Sequence, residues 1–179
     1  MAVSPVVEFY AGRQPDYLGR TLDEILGWDD GRLEDVHSYI QVLFPNFEPS
    51  GVTPKAPTLT LEAVKAFSSD AGLRGNLLRA FDRMLAFYGL ACDARSGEVG
   101  PAANFAERAP NWLSPHNHNY LRITRILKCL GCLGLPHVAG AFLRGLFDVY
   151  GKFGSAIGAG TLTFWREAVR DPSGGRLTG

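Results

Sequence analysis

Apolar residues in this chain recur every three to four positions and almost never alternate, so the pattern predicts helices. Leu33, Val36, Ile40, Leu43 and Phe44 fall at helical spacing, which predicts a helix from about Gly31 to Phe44, stopped by Pro45. Pro49, Gly51, Pro54 and Pro57 mark a loop. Thr60-Leu61-Glu62 opens a helix ending near Ser68, and Leu77, Leu78, Phe81, Met84, Leu85 and Tyr88 predict another, with Gly89 as its C-terminal cap. Asp93 to Gly100 reads as a polar turn and Pro101 to Arg108 as a short helix. A principal helix is expected from about His116 to Gly131 or Leu133. Two more follow, over Pro136–Lys152 and from about Ser155 to Arg170. Thr21-Leu22-Asp23-Glu24 has the form of an N-cap with an acidic first turn. No window has sustained strand alternation with hairpin signals. The expected fold is all-α: one compact domain over residues 1–179, with roughly six to eight helices, a core over about 5–170 and a flexible tail over 171–179.

Composition narrows the function classes. The 179 residues are 46% hydrophobic and 20% charged, with zero net charge, so no global field draws the chain to nucleic acid or anionic lipid. Apolar stretches are too short to span a bilayer, and Met1-Ala2-Val3-Ser4-Pro5 lacks the features of a secretory signal. Three cysteines fit reduced thiols, so an intracellular, cytoplasmic setting is expected.

The candidate chemistry is cationic. His118, Arg122 and Arg125 stand at i, i+4 and i+7 of the principal helix, and the stripe continues through Cys129 and Cys132. Two guanidinium forks on one face suit a carboxylate or phosphate; the alternative is structural pairing with Asp35, Asp82 or Glu107. His37, expected on the face of Leu33, Ile40 and Gln41, is either a packed core histidine or an acid–base or ligand-donor group steadied by Gln41. Glu34 and His37 form half of a di-iron signature whose second half is missing. Cys129-x-x-Cys132 lies inside a helix without a second ligand pair for zinc, so no metal is assigned. No phosphate-loop, nucleophile-elbow or zincin motif occurs, and no cofactor is implied.

Leu33-Glu34-Asp35-Val36-His37-Ser38-Tyr39-Ile40-Gln41-Val42-Leu43-Phe44-Pro45 resembles the L-E-x-x-H-x-Y-I-Q-W-L-F-P segment of the opioid growth factor receptor domain. Phe87-Tyr88-Gly89 is similar to its F-Y-G, His118 to Leu135 to its H-N-x-L-R-I-T-R-I-L-x-x-L-G-x-L-G-L, and Phe164 to Arg170 to its closing A-V-R segment. The resemblance covers about residues 5–170. It implies kinship with animal receptors for the pentapeptide Met-enkephalin that associate with the nuclear envelope, and with fungal and bacterial domains of the same kind. It carries over no catalytic set. This chain looks like a short, stand-alone, microbial member: it has no repeat-bearing tail and no basic nuclear-localisation cluster, and Val42 stands where the motif usually has Trp.

Three functions are open at this point. The first is a non-enzymatic module binding a peptide or small acidic ligand in a groove lined by His37, Gln41, His118, Asn119, Arg122 and Arg125. The second is a cofactor-free isomerase or cyclase, of secondary-metabolism type, in which His37 or His118 moves a proton and an arginine holds the developing anion. The third is a partner-binding domain with filled helix interfaces and an exposed apolar patch. Oligomeric state is left open.

Overall fold

The computed structural model describes residues 4–177. Its residues group into two compact units, 1–81 and 82–179.

The first unit is built of short helices: α1 (Pro5–Tyr10), α2 (Leu22–Leu26), α3 (Asp30–Asp35), α4 (Ile40–Leu43) and α5 (Leu61–Ser69). The long α6 (Ala71–Tyr88) carries the boundary between the units. Side-chain caps set the starts of several. Thr21 and Glu24 form a reciprocal capping box on α2, and Asp29 and Thr60 accept from Arg32 and Ala63 backbone N–H groups on α3 and α5. Tyr10, fully buried, packs edge-on against Phe67 at 5.3 Å and donates its hydroxyl to the Leu43 carbonyl. Asn76 Nδ2 donates to the Tyr10 carbonyl at 2.7 Å.

The helix expected over 31–44 is two helices with a break between them. Val36 is extended (φ −87°, ψ 119°), and residues 36–39 lie outside both α3 and α4. The Arg20 guanidinium supplies a reason for the break. It donates to Ser38 Oγ at 3.0 Å and to the Ser38 carbonyl at 3.3 Å, while Asp16 holds it at 2.6 Å. These bonds, made to a side chain outside the segment, hold Ser38 between the two helices.

The second unit contains a two-stranded antiparallel hairpin, β1 (Leu90–Cys92) and β2 (Val99–Pro101), then α7 (Phe105–Arg108) and a 3-10 turn at Ala109–Asn111. Three longer helices complete it: α8 (Asn119–Cys132), α9 (Pro136–Ile157) and α10 (Ala159–Arg170), which pack on one another. Ile126, Leu127, Leu130, Phe142, Leu146 and Trp165 are buried in this unit, each at 0% exposure. Trp112, also at 0%, donates Nε1 to the Tyr88 carbonyl at 3.0 Å. Residues 172–177 continue as turns: Pro172 lies against Gly131, and Ser173 is buried.

The fold is therefore mostly helical, as the periodicity predicts. The described residues form ten α-helices, more than the six to eight expected, because several span only four to six residues. The hairpin was not expected; its two strands flank the stretch read as a polar turn, with β2 overlapping its last two residues. No helix among the described residues is long and apolar enough to cross a membrane.

Candidate ligand cavity

Three backbone features build a cavity in the second unit. Gly89 turns the chain from α6 into β1 at φ +71°, and a Cβ there would stand 2.9 Å from the Phe105 backbone. This turn needs glycine both for its left-handed conformation and for the close approach of α7. Gly145, in the middle of α9, lets that helix lie directly on β2, with the Val99 backbone in the space a side chain would fill. At Phe153 the backbone leaves helical geometry (φ −127°, ψ 22°), which breaks α9 one residue after the end expected from sequence.

These features bring Pro101 of β2, Phe105 of α7 and the α9 residues Phe147, Val149 and Phe153 around one cavity of about 610 Å³. The volume lies inside the range of about 300–1,000 Å³ usual for ligand pockets. The Phe105 and Phe153 rings are tilted at 49° with centroids 6.0 Å apart, and Phe153 is 38% exposed. The Arg166 guanidinium sits 4.9 Å from the Phe147 ring centroid. Asp148 and Lys152, one helical turn apart on α9, also line the cavity and are exposed. On the hairpin side, exposed Arg144 pairs with Glu98 at 2.8 Å and holds that carboxyl below its usual range. The site thus offers aromatic surface and one charge of each sign. It contains no histidine and no cysteine.

The residues singled out from sequence lie elsewhere. His37 is exposed in the break between α3 and α4, not on a helix, so it does not share a helical face with Leu33 and Gln41. Gln41 is buried on α4 at 8% exposure, its Oε1 without a hydrogen-bond partner. Both belong to the first unit, and the other four to the second. His118 is exposed at the N-cap of α8, where its carbonyl accepts from the Leu121 and Arg122 N–H groups. Asn119 is fully buried, Arg122 is 5% exposed, and Arg122 Nη1 donates to Asn119 Oδ1 at 3.2 Å. Arg125 is half-buried. The stripe therefore begins in solvent and runs into the core, where the Cys129 and Cys132 side chains are buried; burial pushes the Cys129 thiol well up. Among the described residues no group of three or more His, Cys, Asp and Glu side chains is placed to hold a metal ion.

Phe105, Phe147 and Phe153 were not read as a site from the sequence. Their one usable signal is Gly151 and Gly154 flanking Phe153, which marks a weak point in the helix.

Comparison with known proteins decides the lineage. The model of the opioid growth factor receptor conserved region matches residues 7–173. The chain belongs to the opioid growth factor receptor family. It is 48% identical to the mouse opioid growth factor receptor over 130 residues, which cover 70% of this chain and 20% of that protein. It is 47% identical to the human receptor, with 70% and 19% covered. Mouse opioid growth factor receptor-like protein 1 is 39% identical over 134 residues, 72% of this chain and 28% of that protein. The chain thus spans about a fifth of the receptors' length and somewhat more of the receptor-like protein's. No solved structure matches it.

Proposed function

We propose that this chain is a non-enzymatic, receptor-type ligand-binding domain whose ligand is a short peptide or small acidic molecule carrying an aromatic group. The observation that carries this reading is the 610 Å³ cavity with its three phenylalanines and its Lys152–Asp148 edge. An aromatic side chain of the ligand packs among Phe105, Phe147 and Phe153, where rings gain from tilted contacts as well as from burial. Lys152 takes the ligand's carboxylate and Asp148 an amino group, if one is present. The relatives' name, receptor for a growth factor, supports binding as the role. The cavity chemistry supports it as well, because its lining offers aromatic and charged recognition groups.

The α8 set has a different part. Arg122 and Asn119 hold the helix from within, whereas His118 and Arg125 are the members of the stripe that a carboxylate can reach from solvent. Isotope-edited NMR titration separates the two sites. The panel is Met-enkephalin, its C-terminally amidated form and small aromatic carboxylates. Saturable shifts at Phe105, Phe147 and Phe153, weakened about tenfold or more by Phe147→Ala, are expected. Loss of affinity on amidation and in Lys152→Ala assigns the carboxylate. Shifts confined to α8 that vanish in Arg125→Ala, or none from any ligand, contradict the cavity reading.

A further inference from the structure

The first unit holds a cavity of about 220 Å³. It shares no lining residue with the cavity among Phe105, Phe147 and Phe153. Val6 and Phe9 of α1 and Val42 of α4 line it, and all three are buried. The loop before α2 contributes Asp16 and Tyr17, and the loop before α5 contributes Lys55 and Pro57. The walls are tied in place. Tyr10, beside Phe9, donates its hydroxyl to the carbonyl of Leu43, beside Val42, which joins α1 to α4. Asp16 Oδ1 accepts from the Leu18 and Arg20 N–H groups at 2.9 Å, and Oδ2 holds the Arg20 guanidinium at 2.6 Å. The Leu59 N–H donates to the Asn46 carbonyl at 3.0 Å and closes the loop that carries Lys55 and Pro57. Walls held by such bonds resist collapse into the space between them.

Size and lining together define what fits. An apolar cavity of about 150 Å³ is enough to hold a benzene ring. The larger space here takes one aromatic ring with a short arm and is too small for a pentapeptide. Phe9 and Tyr17 give such a ring aromatic surface to pack on. Two charged residues line the cavity, and one of them is already engaged: the Asp16 carboxylate holds Arg20 and the backbone of its own loop. Lys55 is exposed and pairs with no carboxylate among the described residues. The uncommitted charge is therefore positive, and the arm that matches it is an anion. We infer that this cavity is a separate binding site for a small aromatic carboxylate, with the ring among Val6, Phe9 and Val42 and the carboxylate at Lys55.

Methyl-detected NMR titration of the full chain with phenylacetate and 3-phenylpropionate tests this, with phenylacetamide as the neutral counterpart. Saturable shifts at the Val6 and Val42 methyls are expected at millimolar ligand. The amide should bind more weakly than phenylacetate by up to about fivefold, and Lys55→Ala should remove that difference, as suits an exposed charge contact. Val42→Trp puts an indole into the cavity and should abolish the Val6 shifts while the chain stays folded. The wild-type titration and the exposed Lys55→Ala position need no change in the core. Phe147→Ala, which removes the other cavity's central ring, should leave the Val6 and Val42 shifts in place, so the two sites stand or fall separately. No saturable shift at Val6 and Val42, or shifts at Val6 that persist in folded Val42→Trp, would overturn the inference. So would an amide that binds as well as the acid, with Lys55→Ala silent.

Discussion

Gly145→Ala isolates the contact on which the cavity depends. In a helix interior alanine is favoured over glycine by about 1 kcal/mol, so helix propensity alone predicts a more stable protein. The structure predicts the reverse. A Cβ at position 145 would fall well inside contact distance of the Val99 carbonyl oxygen, 3.0 Å from its carbon and 3.2 Å from Val99 Cβ. The opposing atoms are largely backbone, paired in the hairpin with Cys92, so β2 has to move as a unit. Overpacking of this kind costs about 1–3 kcal/mol, and the clash with backbone puts Gly145→Ala at the upper end. After the propensity gain, a net loss of about 1–2 kcal/mol is expected from urea unfolding. Gly140→Ala on the same helix is the control. Its Cβ would meet only the tip of Arg144, 3.6 Å away, so it should gain up to about 1 kcal/mol. Equal stabilisation by both substitutions would refute the close packing of α9 on β2, and with it the position of Pro101 and Phe105 at the cavity.

Three further outcomes follow from local geometry. Val42 lines a second cavity of about 220 Å³ in the first unit, with Phe9, Tyr17 and Pro57 among its neighbours. Val42→Trp should therefore cost under about 1 kcal/mol in chemical unfolding, less than the usual overpacking penalty; a larger loss means the space is not open to the side chain. Trp112→Phe removes the Nε1 donor from the Tyr88 carbonyl at 0% exposure and should destabilise by about 1–3 kcal/mol, read by thermal and urea unfolding. Arg144→Ala should raise the Glu98 pKa toward the ordinary carboxylate value in an NMR titration, because the guanidinium now lowers it. Since the folded value is depressed, the pair's stabilising effect is present above the unfolded carboxylate pKa and fades as pH falls through the folded one. An unmoved titration would show that the pair does not form in solution.

The long helices were legible because their apolar stripes persist over about two turns: Ile123, Ile126, Leu127 and Leu130 on α8, and Phe142, Leu146 and Val149 on α9. The hairpin was not, because three-residue strands with a single buried position each are too short for a period of two to show. The break at Val36–Tyr39 escaped notice for a different reason. The stretch contains no proline or glycine, and its helix-breaking partner, Arg20, lies eighteen residues before Ser38. His37 lost its expected helical face for the same reason. On α8 the spacing of Arg122 and Arg125 does not tell solvent from core, and Arg122 is buried beside Asn119. The cavity draws on β2, α7 and α9, so only tertiary structure brings Phe105 to Phe153.

The central claim is that the aromatic cavity is the binding site of a receptor-type domain. Calorimetric titration of Met-enkephalin into the wild type, Phe147→Ala and Arg125→Ala tests it most directly. The account predicts saturable binding that weakens about tenfold or more in Phe147→Ala and is unchanged in Arg125→Ala. Binding indifferent to Phe147 and abolished with Arg125, or no heat of binding to the folded wild type, would contradict it.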